Sequence, residues 1–388
     1  MDYLLSEEQI MVRDLARKIA QEKLKPMVKE LEEKEEFPWA IMKMLADADL
    51  FGVYIDEKYG GMGAGVFELC LVTEELARIC GGVAVSYAAS ALGTDPIILF
   101  GSEEQKKKFL PGLASGKRIG AFAVTEPNAG SDAGAIETTA KKDGEYYILN
   151  GLKHFITNGG DAEVYVIIAL TDKSKGQRGS SAFIVEKGTP GFTFGKKEEK
   201  MGIRTSTTRE LIFQDCKVPK ANLLGKEGLG FIVTMKTFDQ SRPGVAAQAL
   251  GIAQGALDLA VEYSRQRVQF GKPISSFQGI QFMLADMATQ VEAARGLVYS
   301  VARQIDSGNP KVAKESAMAK LFASDVAMKV ATDAVQIYGG YGYMREYPIE
   351  KFMRDAKITQ IYEGTNQIQR SIIATNLIKE ALAASKKK

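Results

Sequence analysis

The pattern of the chain changes near residue 119 and changes back near residue 227, and this switch constrains the fold more than any other feature. Between these points lie short β-branched and aromatic runs, such as VYVIIAL and ELIFQDCKV, separated by Gly, Asn and Pro. No helical pattern intervenes, so these runs predict an antiparallel barrel or sandwich rather than a parallel doubly wound sheet. Within them, Asn150-Gly151 predicts a turn.

Helical periodicity occupies both flanks of this β region. On the N-terminal side, Ser6 and Gln9 are spaced as a capping box, and Pro26 is expected to end the first helix. On the C-terminal side, stripes such as Ile280 to Val298 predict long helices that form a bundle. We therefore divide the chain into domains at residues 1–118, 119–226 and 227–388.

Composition places the chain among ordinary soluble proteins. It has 388 residues and a formal net charge of +2, which implies neither nucleic acid nor an anionic membrane as a partner. The three cysteines suggest no disulfide framework and fit a reducing compartment. We see no signal peptide and no run of the ~18 apolar residues that span a bilayer. We expect a cytoplasmic protein, with a processed mitochondrial form as the alternative.

Most familiar catalytic motifs are absent from the sequence. His154 is the single histidine, so no His-rich metal site is expected, and no HExxH, CxxC, GxSxG or phosphate-loop motif occurs. GGMGAG, at residues 60–65, lacks the preceding strand and the spacing of a dinucleotide-binding loop, and is interpreted as a turn. The chemistry must therefore come from carboxylates and a bound cofactor.

One carboxylate stands out, in the stretch QIYEGTNQIQR. Glu363 lies among Ile358, Ile361, Ile368 and Ile372, which suggests a buried setting. Burying a lone carboxylate costs several kcal/mol or raises its pKa, so such a residue usually has a use. The alternative is a carboxylate that merely caps a helix.

Five further stretches are candidates for ligand contacts, and each has a simpler structural interpretation when taken alone. FAVTEPNAGSD could be a polar turn, HFITNGG part of a β core, and FDQSRP a helix cap, which is the favoured interpretation for that stretch. RQRVQFGKPISSFQ could be a solvated helix end, although Arg267 offers a donor fork that suits a pyrophosphate. QIYGGYGYMREYPIEKFMRDAKI could use its glycines for a helix cap or for close approach to a ligand.

Together, in order and spacing, these stretches resemble the acyl-CoA dehydrogenase family over essentially the whole chain. FGKKEEKMGIR and QALGIAQGALD make the resemblance strongest to the short-chain, butyryl-CoA-type members. The resemblance implies an α+β multidomain fold: an N-terminal α-helical domain, a central antiparallel β-barrel and a C-terminal four-helix bundle. It also implies a homotetramer that binds FAD between the β domain and the bundle, partly through a neighbouring subunit.

The resemblance also implies which residues touch each ligand. The cofactor-binding positions of one subunit are Phe122, Val124, Thr125, Ser131, Phe155, Ile156, Thr157, Thr365, Asn366 and Gln367. Those from the adjacent subunit are Arg267, Gln278, Gln336, Ile337, Gly339 and Gly340. The acyl-CoA would touch Ser131, Asp239, Arg242 and Gly364. Many relatives carry Trp where this chain has Phe155, so stacking on the flavin should survive with less area.

In this family the glutamate of YEGT removes the pro-R α-proton of the thioester while hydride leaves the β-carbon for flavin N5. The resemblance therefore implies that Glu363 is the base, that the product is a trans-2-enoyl-CoA, and that electrons pass to electron-transfer flavoprotein. Some relatives place the base on another helix, at the position of Ser241. Serine cannot act as that base, which supports Glu363.

Asp95 departs from the family pattern, since most relatives carry an uncharged residue just before this proline. Dehydrogenases of cyclohexene carboxyl-CoA thioesters use an aspartate there as a base but lack the usual glutamate, whereas this chain has both acids. Asp95 is therefore either a solvated helix cap or a second base for an alicyclic or branched substrate. Two further candidates are an oxygen-using oxidase and a non-catalytic homologue that binds flavin and, in some relatives, DNA. A DNA-binding homologue should carry a basic face, and the absence of a basic tract opposes it.

Overall fold

The computed structural model describes residues 3–386, and its N-terminal part is helical. The helices are α1 (Glu7–Ile19), α2 (Lys25–Lys34), α3 (Trp39–Asp47), α4 (Val66–Ala77), α5 (Gly81–Phe100) and α6 (Glu103–Ala114). Both hydrogen bonds of the predicted capping box at Ser6 and Gln9 are present. Pro26 does not end the first helix: a π-helical turn, Ala20–Leu24, leads directly into α2. Pro26 lies in the first turn of α2, where a missing N–H costs little.

The middle of the chain forms an eight-stranded sheet. Its strands are β1 (Gly120–Ala123), β2 (Thr139–Asp143), β3 (Tyr146–Thr157), β4 (Val164–Leu170), β5 (Ser180–Glu186), β6 (Phe192–Lys197), β7 (Thr208–Pro219) and β8 (Leu223–Leu224). The order is β6-β7-β3-β2-β4-β5-β8, with β1 beside β4. β1 and β2 run parallel to β4 and the other pairs are antiparallel. The order does not close on itself, so the predicted barrel is imprecise and the sheet is open.

The predicted turn at Asn150-Gly151 is wrong. β3 passes through both residues, with a register shift against β7 between Leu149 and Gly151, and the chain reverses instead at Gly144, where φ is +54°. The long β3 can pair with β7 only if the strand stays extended, so the sheet absorbs Asn-Gly as a bulge. A second shift between Lys153 and Ile156 leaves Phe155 with φ +57° and its ring exposed.

The C-terminal part is helical, as predicted. It contains α7 (Gly230–Gln266), α8 (Gln278–Asp306), α9 (Ala313–Tyr338), α10 (Ile349–Thr359) and α11 (Asn366–Ser385), with a small hairpin, β9 (Val268–Gln269) and β10 (Lys272–Pro273), between α7 and α8. α7, α8 and α9 pack on one another through buried alanines and valines, α11 lies on α9, and the short α10 lies against α7 and α9. Four long helices and one short helix therefore make up the described residues of this part.

Hydrogen bonds and shared core tie the three parts into one unit. α7 packs on α4 and α5, so the longest helix is buried between the two helical regions. The Asp306 carboxylate accepts the N–H groups of Val66 and Phe67 at 2.8 and 2.9 Å and thus caps α4. The Asp355 carboxylate of α10 accepts the N–H of Ile203, in the segment between β6 and β7, at 2.6 Å.

Two helices, α5 and α7, are long and apolar enough to cross a bilayer by length and composition, contrary to the expectation from the sequence. Their most apolar windows are 72% and 78% buried inside the fold. Burial of this extent is what the core helices of a folded domain show, and it explains their hydropathy without a membrane.

Candidate active site

Glu363 lies in the tight turn between α10 and α11. Its φ is +49° and that of Gly364 is +90°, so two successive residues adopt left-handed conformations. Thr365 then caps α11, because its side chain accepts the N–H of Ile368. A glutamate in the left-handed region is strained by roughly 1–2 kcal/mol and persists only where its surroundings hold it.

Side chains from two helices hold this turn. Gln369 Nε2 donates to the carbonyl oxygens of Glu363 and Gly364, at 3.0 and 2.9 Å. The Tyr362 hydroxyl donates to Gln248 Oε1 on α7. The backbone around Glu363 is therefore fixed from both sides, which orients its side chain.

The carboxyl group of Glu363 faces α7. Ser241 Oγ donates to Glu363 Oε2 at 2.8 Å, which leaves Oε1 for another partner. The residue as a whole is half-buried, but desolvation of its carboxyl group raises the pKa of Glu363, and the Ser241 hydrogen bond, Arg242 and Lys320 partly oppose this rise. The expected isoleucine environment is wrong in detail, since Ile361 is 48% exposed. Polar and charged side chains of α7 and α9 surround the carboxyl instead.

Buried Arg242 and half-buried Asp239 form an ion pair in the interior of α7. Their Nη1 and Oδ1 atoms lie 3.2 Å apart, and Arg242 is 3% exposed. The interpretation of FDQSRP as a helix cap is wrong, because α7 already begins at Gly230. Pro243 deprives the Asp239 carbonyl of its helical partner, and Ser316 Oγ of α9 donates to that oxygen at 2.8 Å. Arg242 Nε is buried without a hydrogen-bond partner among residues 3–386.

The predicted flavin-contact residues of the sheet lie together beside this ion pair. Two hydrogen bonds join the loop after β1 to β3. The backbone N–H of His154 donates to the Thr125 carbonyl at 2.8 Å, and Lys153 Nζ donates to the Val124 carbonyl at 2.9 Å. Phe122 meets Phe238 of α7 edge to face, with ring centroids 5.8 Å apart. The Phe238 ring in turn lies 5.9 Å from the Arg242 guanidinium.

The remaining predicted residues of this group differ in their exposure. The Phe155 ring at the end of β3 is 59% exposed, Ile156 is buried and Thr157 is half-buried. Ser131 is exposed in the loop after β1. At the start of α11, Asn366 is buried and Gln367 is exposed.

A second group lines a hollow elsewhere in the chain. Arg267, Ile337, Gly339 and Gly340 border a space of about 540 Å³, where the Arg267 guanidinium lies 5.2 Å from the Tyr341 ring. Gln278 and Gln336 are exposed and do not line it. Phe122, Phe155 and Glu363 do not line it either. Another hollow, of about 620 Å³, lies along α7 between Leu257 and Gln266 and contains none of the predicted site residues.

Asp95 is buried in the interior of α5 and is 5% exposed. The interpretation of Asp95 as a solvated helix cap is therefore wrong. Within residues 3–386 its carboxyl makes neither a hydrogen bond nor an ion pair. Burial raises the pKa of Asp95 well above its usual range, and the nearby charge of Glu363 raises it further.

The single histidine lies near two acids that are distant in sequence. The ligand atoms of His154, Glu198 and Glu210 all lie within 4.8 Å of one another, a grouping that no local motif announces. All three residues are partly exposed, and Lys196 Nζ already lies 3.6 Å from Glu198 Oε2. A lysine thus supplies positive charge to this cluster.

Comparison with known proteins gives a consistent answer over the whole chain. Models of the N-terminal, middle and C-terminal domains of acyl-CoA dehydrogenases match residues 6–117, 121–216 and 228–378. The chain is 53% identical to an acyl-CoA dehydrogenase of Bacillus subtilis, over 96% of this chain and 99% of the relative. It is also 53% identical to a short-chain-specific acyl-CoA dehydrogenase of Megasphaera elsdenii, over 98% of this chain and all of the relative.

Solved structures agree with these relatives. Butyryl-CoA dehydrogenase from M. elsdenii superimposes with a TM-score of 0.95 at 52% identity, covering 97% of this chain and all of that chain. A chain solved in work on the electron transferring flavoprotein of Acidaminococcus fermentans gives 0.95 at 54% identity, covering 97% and 99%. An acyl-CoA dehydrogenase from Bacillus anthracis, solved in complex with FAD, gives 0.93 at 36% identity, covering 98% and 68%. From its sequence, its fold and these relatives, the chain belongs to the acyl-CoA dehydrogenase family of oxidoreductases.

Proposed function

We propose that this protein is an FAD-dependent dehydrogenase that oxidises short- to medium-chain acyl-CoA thioesters to trans-2-enoyl-CoA, with Glu363 as the base. The observation that carries the proposal is the Glu363 carboxyl group itself. It lies in a strained turn, accepts a hydrogen bond from Ser241 and has one oxygen left over, and desolvation raises its pKa. A desolvated carboxylate of this kind is a stronger base than one in water.

The residues of this chain fit FAD. Phe155 is an aromatic residue that is 59% exposed, close in the chain to half-buried Thr157, and such a ring suits stacking on a flat heterocycle. Arg267 offers a donor fork for a pyrophosphate at the 540 Å³ hollow. FAD, when bound, supplies the acceptor for the β-hydride.

The chain's own residues then account for the proton. The α C–H bond breaks, its electron pair becomes part of the new C=C bond, and the proton passes to Glu363. Ser241 holds Oε2 throughout, so Oε1 is the atom free to receive it. Arg242 and Lys320 favour the ionised carboxyl, which keeps part of the Glu363 population ready to act despite its desolvation.

We further propose that the protein assembles as a homotetramer and passes its electrons to electron-transfer flavoprotein. The two groups of cofactor residues support the assembly, since the Arg267 hollow shares no lining residue with the region of Phe122, Phe155 and Glu363. Exposed aromatic side chains that follow Arg267 in the chain, Phe270 and Phe282, support burial against another copy. The likeness to the A. fermentans chain supports the partner.

Anaerobic flavin bleaching by a panel of thioesters tests the function. Butyryl-, octanoyl-, isobutyryl- and cyclohexanecarboxyl-CoA are each mixed with the purified yellow protein, and products are identified by mass spectrometry. We expect butyryl-CoA to bleach the flavin rapidly and to form crotonyl-CoA. We also expect oxygen to reoxidise the bleached flavin no faster than electron-transfer flavoprotein does. If no thioester bleaches the flavin, the protein is a non-catalytic homologue; rapid oxygen-dependent turnover would indicate an oxidase.

A second candidate function is the oxidation of an alicyclic or branched acyl-CoA. It is favoured by one observation: Asp95 is a buried carboxyl with no hydrogen-bond partner among the residues described, and its pKa responds to Glu363. Such a group has no evident structural purpose and could act as a second base or as a donor to the acyl group.

Asp95→Asn separates the two candidates, because asparagine keeps the shape of the side chain and removes its titration. The second candidate predicts that turnover of cyclohexanecarboxyl-CoA falls by about 100-fold, the scale of a lost acid–base group, while turnover of butyryl-CoA changes little. Turnover of the whole panel by the wild-type and Asp95→Asn proteins provides the measurement. Unchanged rates on every thioester would end any special role for Asp95.

A further inference from the structure

Lys320 of α9 is a fully buried lysine that contacts both ends of the Glu363 turn. Its Nζ donates to the Gly364 carbonyl at 2.9 Å and to Asn366 Oδ1 at 3.0 Å. Gly364 directly follows Glu363, and Asn366 is the first residue of α11. One ammonium group thus bridges the residue beside the base and the start of the next helix.

The surrounding atoms do not need Lys320 in order to be satisfied. Gln369 Nε2 also donates to the Gly364 carbonyl, and Ser324 Oγ also donates to Asn366 Oδ1. Asn366 is held further by Asp325 Oδ1, which accepts from its Nδ2 at 2.7 Å. The turn therefore keeps hydrogen-bond partners without the lysine, and a purely structural role would be served at lower cost by an apolar side chain.

Lys320 brings a charge to the site in addition to its hydrogen bonds. Burial lowers the pKa of Lys320 to about 7, while Glu363 opposes this by favouring the charged form. The charged groups facing it are Glu363 from the turn, Arg242 from α7 and Asp325 from α9 itself. Of these, Glu363 is the acid on which the proposed reaction depends.

We propose that Lys320 is a positioning residue for the base: its ammonium, anchored at the Gly364 carbonyl directly after Glu363, keeps a positive charge beside the carboxyl group and favours the ionised carboxylate. This rests on the proposed function, because it requires Glu363 to act as the base. The arrangement links an acid that must lose its proton to a buried cation that titrates near neutrality.

Replacing Lys320 by methionine removes the charge at similar length. Without the cation the neutral form of Glu363 is favoured and its pKa rises, so the acidic limb of the kcat/KM profile for butyryl-CoA should move to higher pH by about one unit. At pH values below that limb, kcat/KM of the Lys320→Met protein should be about tenfold lower than that of the wild-type protein. Since the pKa of Lys320 is about 7, the wild-type protein loses the same charge above neutrality, and the two profiles should converge there.

Two variants control this experiment. Lys329→Met removes an exposed lysine of the same helix, which pairs with Asp333, and should leave the profile unchanged. Lys320→Arg keeps the charge, so its acidic limb should stay at the wild-type pH even if the larger side chain lowers the plateau. A limb that moves in Lys320→Arg as it does in Lys320→Met would overturn the proposal, as would an equal loss at every pH in Lys320→Met.

Glu363→Gln in the same assay keeps this proposal separate from the proposed function. If Glu363→Gln turns over butyryl-CoA at the wild-type rate, Glu363 is not the base and the proposed mechanism fails. If Glu363→Gln is inactive but the Lys320→Met profile matches wild type, only the role of Lys320 is wrong.

Discussion

Glu363→Gln is expected to lower kcat for butyryl-CoA by about 10²–10⁴-fold, the range for loss of a general base. Glutamine keeps the size of the side chain and can still accept the hydrogen bond from Ser241, but it cannot take up the α-proton. The thioester and the flavin should bind as before, because neither the turn nor its hydrogen bonds to Gln369 change. The measurement is the anaerobic rate of flavin reduction at saturating butyryl-CoA.

Glu33→Gln serves as the matched control, because Glu33 is an exposed glutamate of α2. It should reduce its flavin at the wild-type rate. A Glu363→Gln protein that holds its flavin and reduces it within a few-fold of wild type would show that another group removes the proton. Asp95 would then be the first residue to test, since it is a buried acid whose pKa responds to Glu363.

Asp355→Ala is expected to lower the free energy of unfolding by about 3–5 kcal/mol, the cost of leaving a buried charge without its partner. Asp355 pairs with Lys351 on α10, and both residues are buried. Burial alone would lower the pKa of Lys351, yet Asp355 raises it above its ordinary value, which shows how strongly this cation depends on the acid. The substitution also removes the acceptor of the Ile203 N–H, a hydrogen bond that joins α10 to the segment between β6 and β7.

Urea denaturation of the holoprotein at fixed protein concentration measures this effect. Asp333→Ala is the matched control, because Lys329 and Asp333 form a pair at the same spacing, 2.7 Å apart, on the surface of α9. A surface pair at this spacing contributes at most about 0.5 kcal/mol, so the control should unfold near the wild-type midpoint. Equal stability of the Asp355→Ala and Asp333→Ala proteins would show that neither the buried pair nor the Asp355–Ile203 hydrogen bond contributes to the stability of the fold.

The helix–sheet–helix organisation can be predicted from the sequence because periodicity and residue type are local properties. The capping box at Ser6 can be recognised for the same reason. The errors lie where tertiary contacts override local signals. Asn150-Gly151 forms a bulge because β7 pairs across it, and Pro243 stays inside α7 because Ser316 satisfies the carbonyl it frees. No local pattern in the sequence shows either partner.

The candidate site is predictable where a motif is continuous, as for Glu363 in YEGT. Residues that act from other elements are harder to find. The sequence position of Ser241 indicates only that it cannot be the base, whereas the structure shows it donating a hydrogen bond to the Glu363 carboxyl group. Lys320 and Gln369 give no signal in the sequence, because an isolated lysine or glutamine on a helix is usually solvated; only their burial identifies them. Asp95 stands out by its position, but its burial does not follow from the sequence.

Exchange of the substrate α-proton with solvent tests the central claim most directly. Wild-type and Glu363→Gln proteins, each with flavin bound, are incubated with butyryl-CoA in D₂O without an electron acceptor, and the recovered thioester is analysed by mass spectrometry. We expect deuterium to enter the α-carbon with the wild-type protein and to remain at the uncatalysed level with Glu363→Gln. Equal incorporation by both proteins would contradict the assignment of Glu363 as the base.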